Sequence, residues 1–126
     1  MEEQVLYFFE KSPLALPLYE SLAQAVGEAI PGAQVKVQKT QVTFSLRRVF
    51  ACVSLLRPRP AREMPTPYLT VTFGLPYRLA SPRIAGAVEP YPGRWTHHVV
   101  VGAPGEADSE LLGWIQEAAA FSAAKR

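Results

Sequence analysis

Apolar residues early in the chain recur at helical spacing. Leu14, Leu18, Leu22, Val26 and Ile30 fall every fourth residue, and Ala25 and Ala29 widen the stripe they form. The spacing predicts a helix from Pro13 to Ile30. Ser12 offers a hydroxyl to cap it, Pro13 suits its first position, and Pro31-Gly32 stops it. Pro17 falls near the end of the first turn, so the helix starts later or bends there. Ahead of it, Leu6-Tyr7-Phe8-Phe9 is apolar enough to pack on a core as a short helix or an extended arm.

After Gly32 the period changes to two. Val35 and Val37 alternate with Lys36 and Gln38, which predicts a short half-buried strand. Val42, Phe44 and Leu46 alternate with Thr43 and Ser45 in the opposite phase, so a turn or bulge belongs at Lys39-Thr40-Gln41. Val49 to Leu56 is apolar on both faces and reads as a central strand, with Arg47-Arg48 as the turn before it. The proline-rich stretch from Arg57 to Pro67 is a loop, since it lacks the N–H donors of a ladder. Tyr68 to Phe73 is the next strand, with Leu69, Val71 and Phe73 on one face. Ser81-Pro82 repeats the cap-then-proline signal and predicts a short helix to Val88, followed by a turn at Pro90-Tyr91-Pro92-Gly93. In the last strand Trp95, His97, Val99 and Val101 share one side; Thr96, His98 and Val100 share the other. A closing helix runs from Ser109 to Ala123, capped by Asp108, with Leu111, Leu112, Ile115, Ala118, Ala119 and Ser122 on its buried face. Helix, strands, helix is an α+β order: an antiparallel sheet of four to five strands with an N-terminal and a C-terminal helix packed on one face.

Composition narrows the class. A chain of 126 residues with 48% hydrophobic content is one domain, residues 1–126, with a real core. No apolar run is long enough to span a membrane, and the acidic Met-Glu-Glu-Gln start lacks the basic region of a signal peptide. A cytoplasmic protein without a membrane partner is expected. The single Cys52 fits a reducing compartment and reads as a small buried hydrophobe. A catalytic thiol would need a base and a partly open, electropositive setting.

Charge adds the one functional hint. Gly32 to His98 holds ten bases against two acids, net +8, while the two ends together carry net −6. A meander of the strands near 41–46, 49–56, 68–73 and 95–101 would gather Arg47, Arg48, Tyr77, Arg78 and Arg94 on one rim, with Arg83 close by on the short helix. Arg57, Arg59 and Arg62 would lie on the other rim. Guanidinium forks match phosphate or carboxylate, and a helix start at Pro82 would add free N–H groups. The plainer reading is a solvated surface whose arginines pair with acids on the flanking helices. His97 and His98 are the candidate catalytic residues. As strand neighbours they face opposite ways and cannot easily share one metal ion or one substrate atom; an inward one near Arg94 would be a general base or a donor to an anion, or, on the plainer reading, a hydrogen-bonded structural histidine. No metal-ligand spacing, Walker A, dinucleotide fingerprint or nucleophile elbow is present, so no metal and no cofactor is expected.

Four stretches carry a resemblance: Lys39-Thr40-Gln41-Val42-Thr43-Phe44, Phe73-Gly74-Leu75-Pro76, Ser81-Pro82-Arg83-Ile84, and Pro92-Gly93-Arg94-Trp95-Thr96-His97-His98. Together with the Leu111-Leu112-Gly113-Trp114-Ile115 helix, the chain from about Phe9 to Phe121 resembles a small uncharacterised bacterial domain family. That domain occurs alone or at the C-terminus of longer proteins described as predicted transport or nuclease-like. The layout is also distantly similar to a YdhG-like group described as iron chaperones, but a basic middle without an acidic ridge lends that role nothing. The resemblance implies an α+β fold and points to Lys39, Arg78, Arg83, Arg94, His97 and His98 as ligand-facing motif residues. It supplies no chemistry.

Three functions compete. The first is a non-enzymatic binding module for an anionic partner, nucleic acid or a phosphorylated or carboxylated ligand, through the arginine-rich rim. Its site residues would be Lys39, Arg48, Tyr77, Arg78, Arg83, Arg94, Trp95, His97 and His98, with aromatic stacking from Tyr77, Tyr91 and Trp95. The second is a protein–protein interaction or homodimerisation module using the sheet face or the arm from Tyr7 to Phe9. The third is an enzyme with His97 or His98 as general base on an anionic substrate.

Overall fold

Prolines decide where the first long helix begins. In the computed structural model, which describes residues 2–124, helix α1 spans Glu2–Phe8 and is followed by 3-10 turns at Phe9–Lys11 and Pro13–Ala15. Helix α2 then runs Leu16–Ala29 with Pro17 in its first turn, where no N–H is required. The Ser12 side chain makes no cap bond; its carbonyl instead accepts the Ala15 N–H at 3.0 Å. Leu14, expected in the apolar stripe, lies outside the helix and is 70% exposed. Leu18, Leu22, Val26 and Ile30 keep their places in the core, joined by Tyr19. Phe8 and Phe9 are buried, and the rings of Phe9, Tyr19 and Phe44 stand in sequence at 5.3 and 6.4 Å. The arm is thereby tied to the sheet through apolar contact.

The sheet has six strands rather than four to five: β1 Gln34–Val37, β2 Val42–Ser45, β3 Val49–Ser54, β4 Leu69–Leu75, β5 Ile84–Tyr91 and β6 Arg94–Val101. Their order is β1-β2-β3-β4-β6-β5, with every neighbouring pair antiparallel. The extra strand replaces the short helix expected after Ser81-Pro82. Ser81 does cap, but it caps a turn: its hydroxyl accepts the Arg83 N–H at 3.2 Å and its carbonyl the Ile84 N–H at 3.1 Å. The chain then enters the sheet edge, where Pro90 is tolerated because an outer strand has unpaired N–H positions. Pro92-Gly93 closes the β5–β6 hairpin, with φ 74° at Gly93, a value that suits glycine. A break in register near Ser45 accompanies the Leu46 to Arg48 bend between β2 and β3.

Helix α3, Ser109–Ala124, lies on the same side as α2. Asp108 caps it by accepting the Leu111 N–H at 3.0 Å, and the buried face holds the six residues expected from periodicity. Phe44, Val53, Val71, Phe73 and Val99 face these helices, and the core sits between the two layers. The opposite face carries Thr43, Cys52, Thr70, Thr72 and His98. Since β4 and β5 flank β6 and run parallel to each other, residues 76–83 must cross β6. They do so on the helix side, where the Leu79 N–H reaches His97. Among the described residues no helix is long and apolar enough to cross a membrane.

Candidate functional site

Strand direction fixes which basic residues meet. β2 ends, β3 begins, β4 ends and β6 begins at one edge of the sheet, so Arg47, Arg48, Arg78 and Arg94 share that end. All four are exposed, and among the described residues none forms an ion pair. The Arg78 guanidinium lies over the Trp95 ring, 5.8 Å from its centre, which orients the charge without neutralising it. Tyr77 is 44% exposed and Tyr91 65%, each beside these arginines in the chain or across the hairpin. Two carboxylates close to these arginines are engaged by uncharged donors. Glu117 accepts the Tyr77 hydroxyl at 2.6 Å, and Glu89 accepts the Gly93 N–H at 3.0 Å. The Glu117 contact raises the Tyr77 pKa.

Arg83 lies elsewhere. Because 84–91 is a strand parallel to β4, its start falls at the far end of the sheet, and Arg83 with it. There its Nη1 meets Asp108 at 2.8 Å and Glu110 at 3.0 Å, and its Nη2 donates to the Glu106 carbonyl at 2.8 Å. Burial opposes the charge on Arg83, but the two carboxylates prevail and raise its pKa. Burial likewise disfavours the Asp108 anion, and Arg83 with the Leu111 N–H outweighs it and holds the carboxyl below its usual range. Lys39 is also at that far end, in the β1–β2 turn, where its carbonyl accepts a bond from Lys11 at 3.4 Å. Arg57, Arg59 and Arg62 follow β3 at the same far end, and Arg62 approaches Glu63 at 3.9 Å.

The adjacent histidines face opposite sides, as strand geometry requires. His97 is 0% exposed and stacks on Phe73 with ring centres 5.4 Å apart. Its Nε2 accepts the Leu79 N–H at 3.0 Å, so the ring pins the crossing segment to the sheet. The second nitrogen, Nδ1, is buried without a hydrogen bond. Burial lowers the pKa of His97; the nearby Trp95 and Phe73 backbone works against this, and the charge of Arg78 adds to it. His98 is half-buried on the other face, with Nδ1 2.8 Å from the Thr72 hydroxyl. Burial lowers its pKa too. Trp95 is half-buried beneath Arg78.

Sequence reading missed two groups of contacts. The Glu106 to Glu110 segment captures Arg83, a pairing that only the position of β5 reveals. Thr72 bonds to His98 on one neighbouring strand and stands opposite Cys52 on the other; the alternation of β4 places it on the polar face, but the strand order decides its neighbours. No group of three His, Cys, Asp or Glu side chains that could hold a metal ion gathers among the described residues.

One family model matches residues 6–122, and its description is "Domain of unknown function (DUF5655)". No curated protein and no solved structure matches the chain.

Proposed function

The chain belongs to this family of domains of unknown function, and from its own surface we propose that it binds single-stranded nucleic acid through the end of the sheet that holds Arg47, Arg48, Arg78 and Arg94. The observation that carries the reading is the set of four exposed guanidinium groups from three separate places, the β2–β3 bend, the end of β4 and the start of β6, with no ion pair among the described residues. An arginine that serves only solubility gains nothing from such grouping, whereas a polyanion neutralises all four at once. Their spread favours a polymer over a single phosphate. From the β2–β3 bend to β6 is two to three strand spacings, about 12 Å. Tyr77 and Tyr91 add rings on which bases stack without regard to sequence.

Fluorescence anisotropy with a labelled single-stranded oligonucleotide tests this directly. Binding is expected to weaken steeply as salt rises, with a log–log slope of about −0.7 for each phosphate contacted. Lack of binding even at roughly 50 mM salt, below the level where screening dominates, would remove the proposal.

Self-association is a second reading, favoured by β5. This eight-residue outer strand carries no charge from Ile84 to Val88, so little discourages another copy from adding to it. Light scattering on the eluting peak would distinguish monomer from dimer.

A further inference from the structure

Residues 76–83 leave the end of β4, cross β6 on the helix side and enter β5. This segment carries Tyr77 and Arg78 of the open end. Among the described residues, two hydrogen bonds tie its residues 76–80 to the rest of the fold. One is the exposed contact of the Tyr77 hydroxyl with Glu117 at 2.6 Å. The other is buried: the Leu79 N–H donates to His97 Nε2 at 3.0 Å. The His97 ring is fully enclosed and stacks on Phe73, which stacks in turn on Trp114. Leu79 packs half-buried against the same core.

We propose that His97 is a proton-operated latch on this segment: with a neutral ring it holds Tyr77 and Arg78 in place for the oligonucleotide, and in acid it releases them. The inference rests on the nucleic-acid reading of the open end and adds its regulation. The lone pair of Nε2 accepts the Leu79 N–H, so the proton of the neutral ring sits on Nδ1, which is buried without a hydrogen bond. A second proton has only Nε2 to go to. There it sets one N–H against another, removes the bond to Leu79 and leaves a cation in an enclosed site. The ring then has to leave its place, and the segment above it loses its buried tie.

The surroundings give that cation no counter-charge. β4 presents Phe73 and β5 presents Ala87 to this position, and neither is charged. The crossing segment brings Tyr77 and Arg78. From α3 comes Glu117, which already holds Tyr77. β6 itself brings His98, on the opposite face. Burial disfavours the His97 cation most; the Trp95 and Phe73 backbone works against this, the charges of Arg78 and His98 add to it, and the pKa is lowered. The latch is therefore closed throughout the ordinary imidazole range and above, and it opens as pH falls through the lower folded value.

The test uses the full chain carrying His98→Gln, which leaves His97 as its single imidazole. Anisotropy with a labelled oligothymidylate and the amide NMR signal of Leu79 are followed from about pH 7.5 to about pH 4.5. Phosphates stay ionised over this range, so a surface that merely gained positive charge would bind more tightly in acid. The latch predicts the reverse: affinity falls at least about fivefold, and the Leu79 signal moves with the same midpoint while the circular dichroism spectrum holds. His97→Gln offers a side-chain carbonyl to the Leu79 N–H at any pH and should keep the tight binding throughout. His97→Phe fills the ring's place without an acceptor and should bind weakly throughout. Affinity that rises or stays level in acid would overturn the latch, as would a Leu79 signal that does not titrate. So would a His97→Gln chain that loses affinity in acid as steeply as its parent, a result that stands even if His97→Phe fails to fold. Absence of binding at neutral pH removes the nucleic-acid reading instead, and the Leu79 signal then decides the latch by itself.

Discussion

Each end of the sheet holds four arginines, and the two ends use them differently. Arg47, Arg48, Arg78 and Arg94 form no ion pair among the described residues. At the far end, with Arg57, Arg59, Arg62 and Arg83, carboxylates have been brought in: Arg83 is held by Asp108 and Glu110, and Arg62 approaches Glu63. The cause is the direction of α3. Its first turn lies at the far end and favours acids there, while its last turn lies near the start of β3, where Ser122 donates to the Val49 carbonyl at 3.0 Å. Charge sorted along a sequence therefore predicts charge in space only after helix direction is known. The fold leaves the four arginines of the open end without ion pairs and gives two of the four at the far end, Arg62 and Arg83, carboxylate partners, while Arg57 and Arg59 have none among the described residues.

Predictions that break or sharpen this contrast run from large effects to small. Reversing the open set, as Arg47→Glu, Arg48→Glu, Arg78→Glu and Arg94→Glu together, should weaken oligonucleotide binding by at least about a hundredfold in anisotropy at moderate salt. The same reversal at Arg57, Arg59 and Arg62 should change it only a few-fold, about what loss of long-range attraction alone gives. Equal losses in both variants would show that the two ends are not distinct.

His97→Ala should cost about 2–4 kcal/mol in chemical denaturation, because it leaves a cavity against Phe73 and an unpaired Leu79 N–H. The same residue sets a pH dependence. Its folded pKa lies below the ordinary 6.5, so the unfolded chain binds the extra proton first. The stability it supports is complete above pH 6.5 and is lost as pH falls through the folded value. His98 is shifted in the same direction. The comparison is therefore best made in a His98→Gln background, where His97→Phe should flatten the acid side of the profile.

Asp108→Ala should lower stability by about 1–2 kcal/mol, most of it from the lost cap of α3, since the ion pair with Arg83 is solvent-exposed and screened. Oligonucleotide affinity should not change. The Asp108 pKa is depressed, so its contribution is present above the ordinary 3.8 and lost as pH falls through the lower folded value. Tyr77→Phe is the smallest step. Losing the exposed bond to Glu117 should shift stability by less than about 0.5 kcal/mol. It also releases a carboxylate beside the open arginines, so a slight fall in affinity is expected.

Much of the fold was legible because periodic burial is a strong local signal. The buried face of α3 and the split of His97 from His98 followed from spacing alone; the meander of β2, β3, β4 and β6 was an assumption about strand order, and it is the order found. What spacing could not supply was where β5 goes. Ser81-Pro82 reads as a helix start, and only tertiary pairing with β6 turns the next residues into a strand. Arg83 was misplaced for that reason. Cys52 read as a small buried hydrophobe because it sits in the apolar run from Val49 to Val53; alternation turns it to the other face, where it is half-buried opposite Thr72. Of the rim, Arg47, Arg48, Tyr77, Arg78 and Arg94 meet as strand direction implied, while Lys39 and Arg83 belong to the opposite end.

The most direct test of the central claim is a backbone amide titration by NMR with a short single-stranded oligonucleotide. Signals of residues 46–48, 77–78 and 91–95 should move together and saturate. Those of 57–63 and 83 should stay still. Shifts centred on Arg57 to Glu63 or on Arg83, with the open end unmoved, would contradict the account.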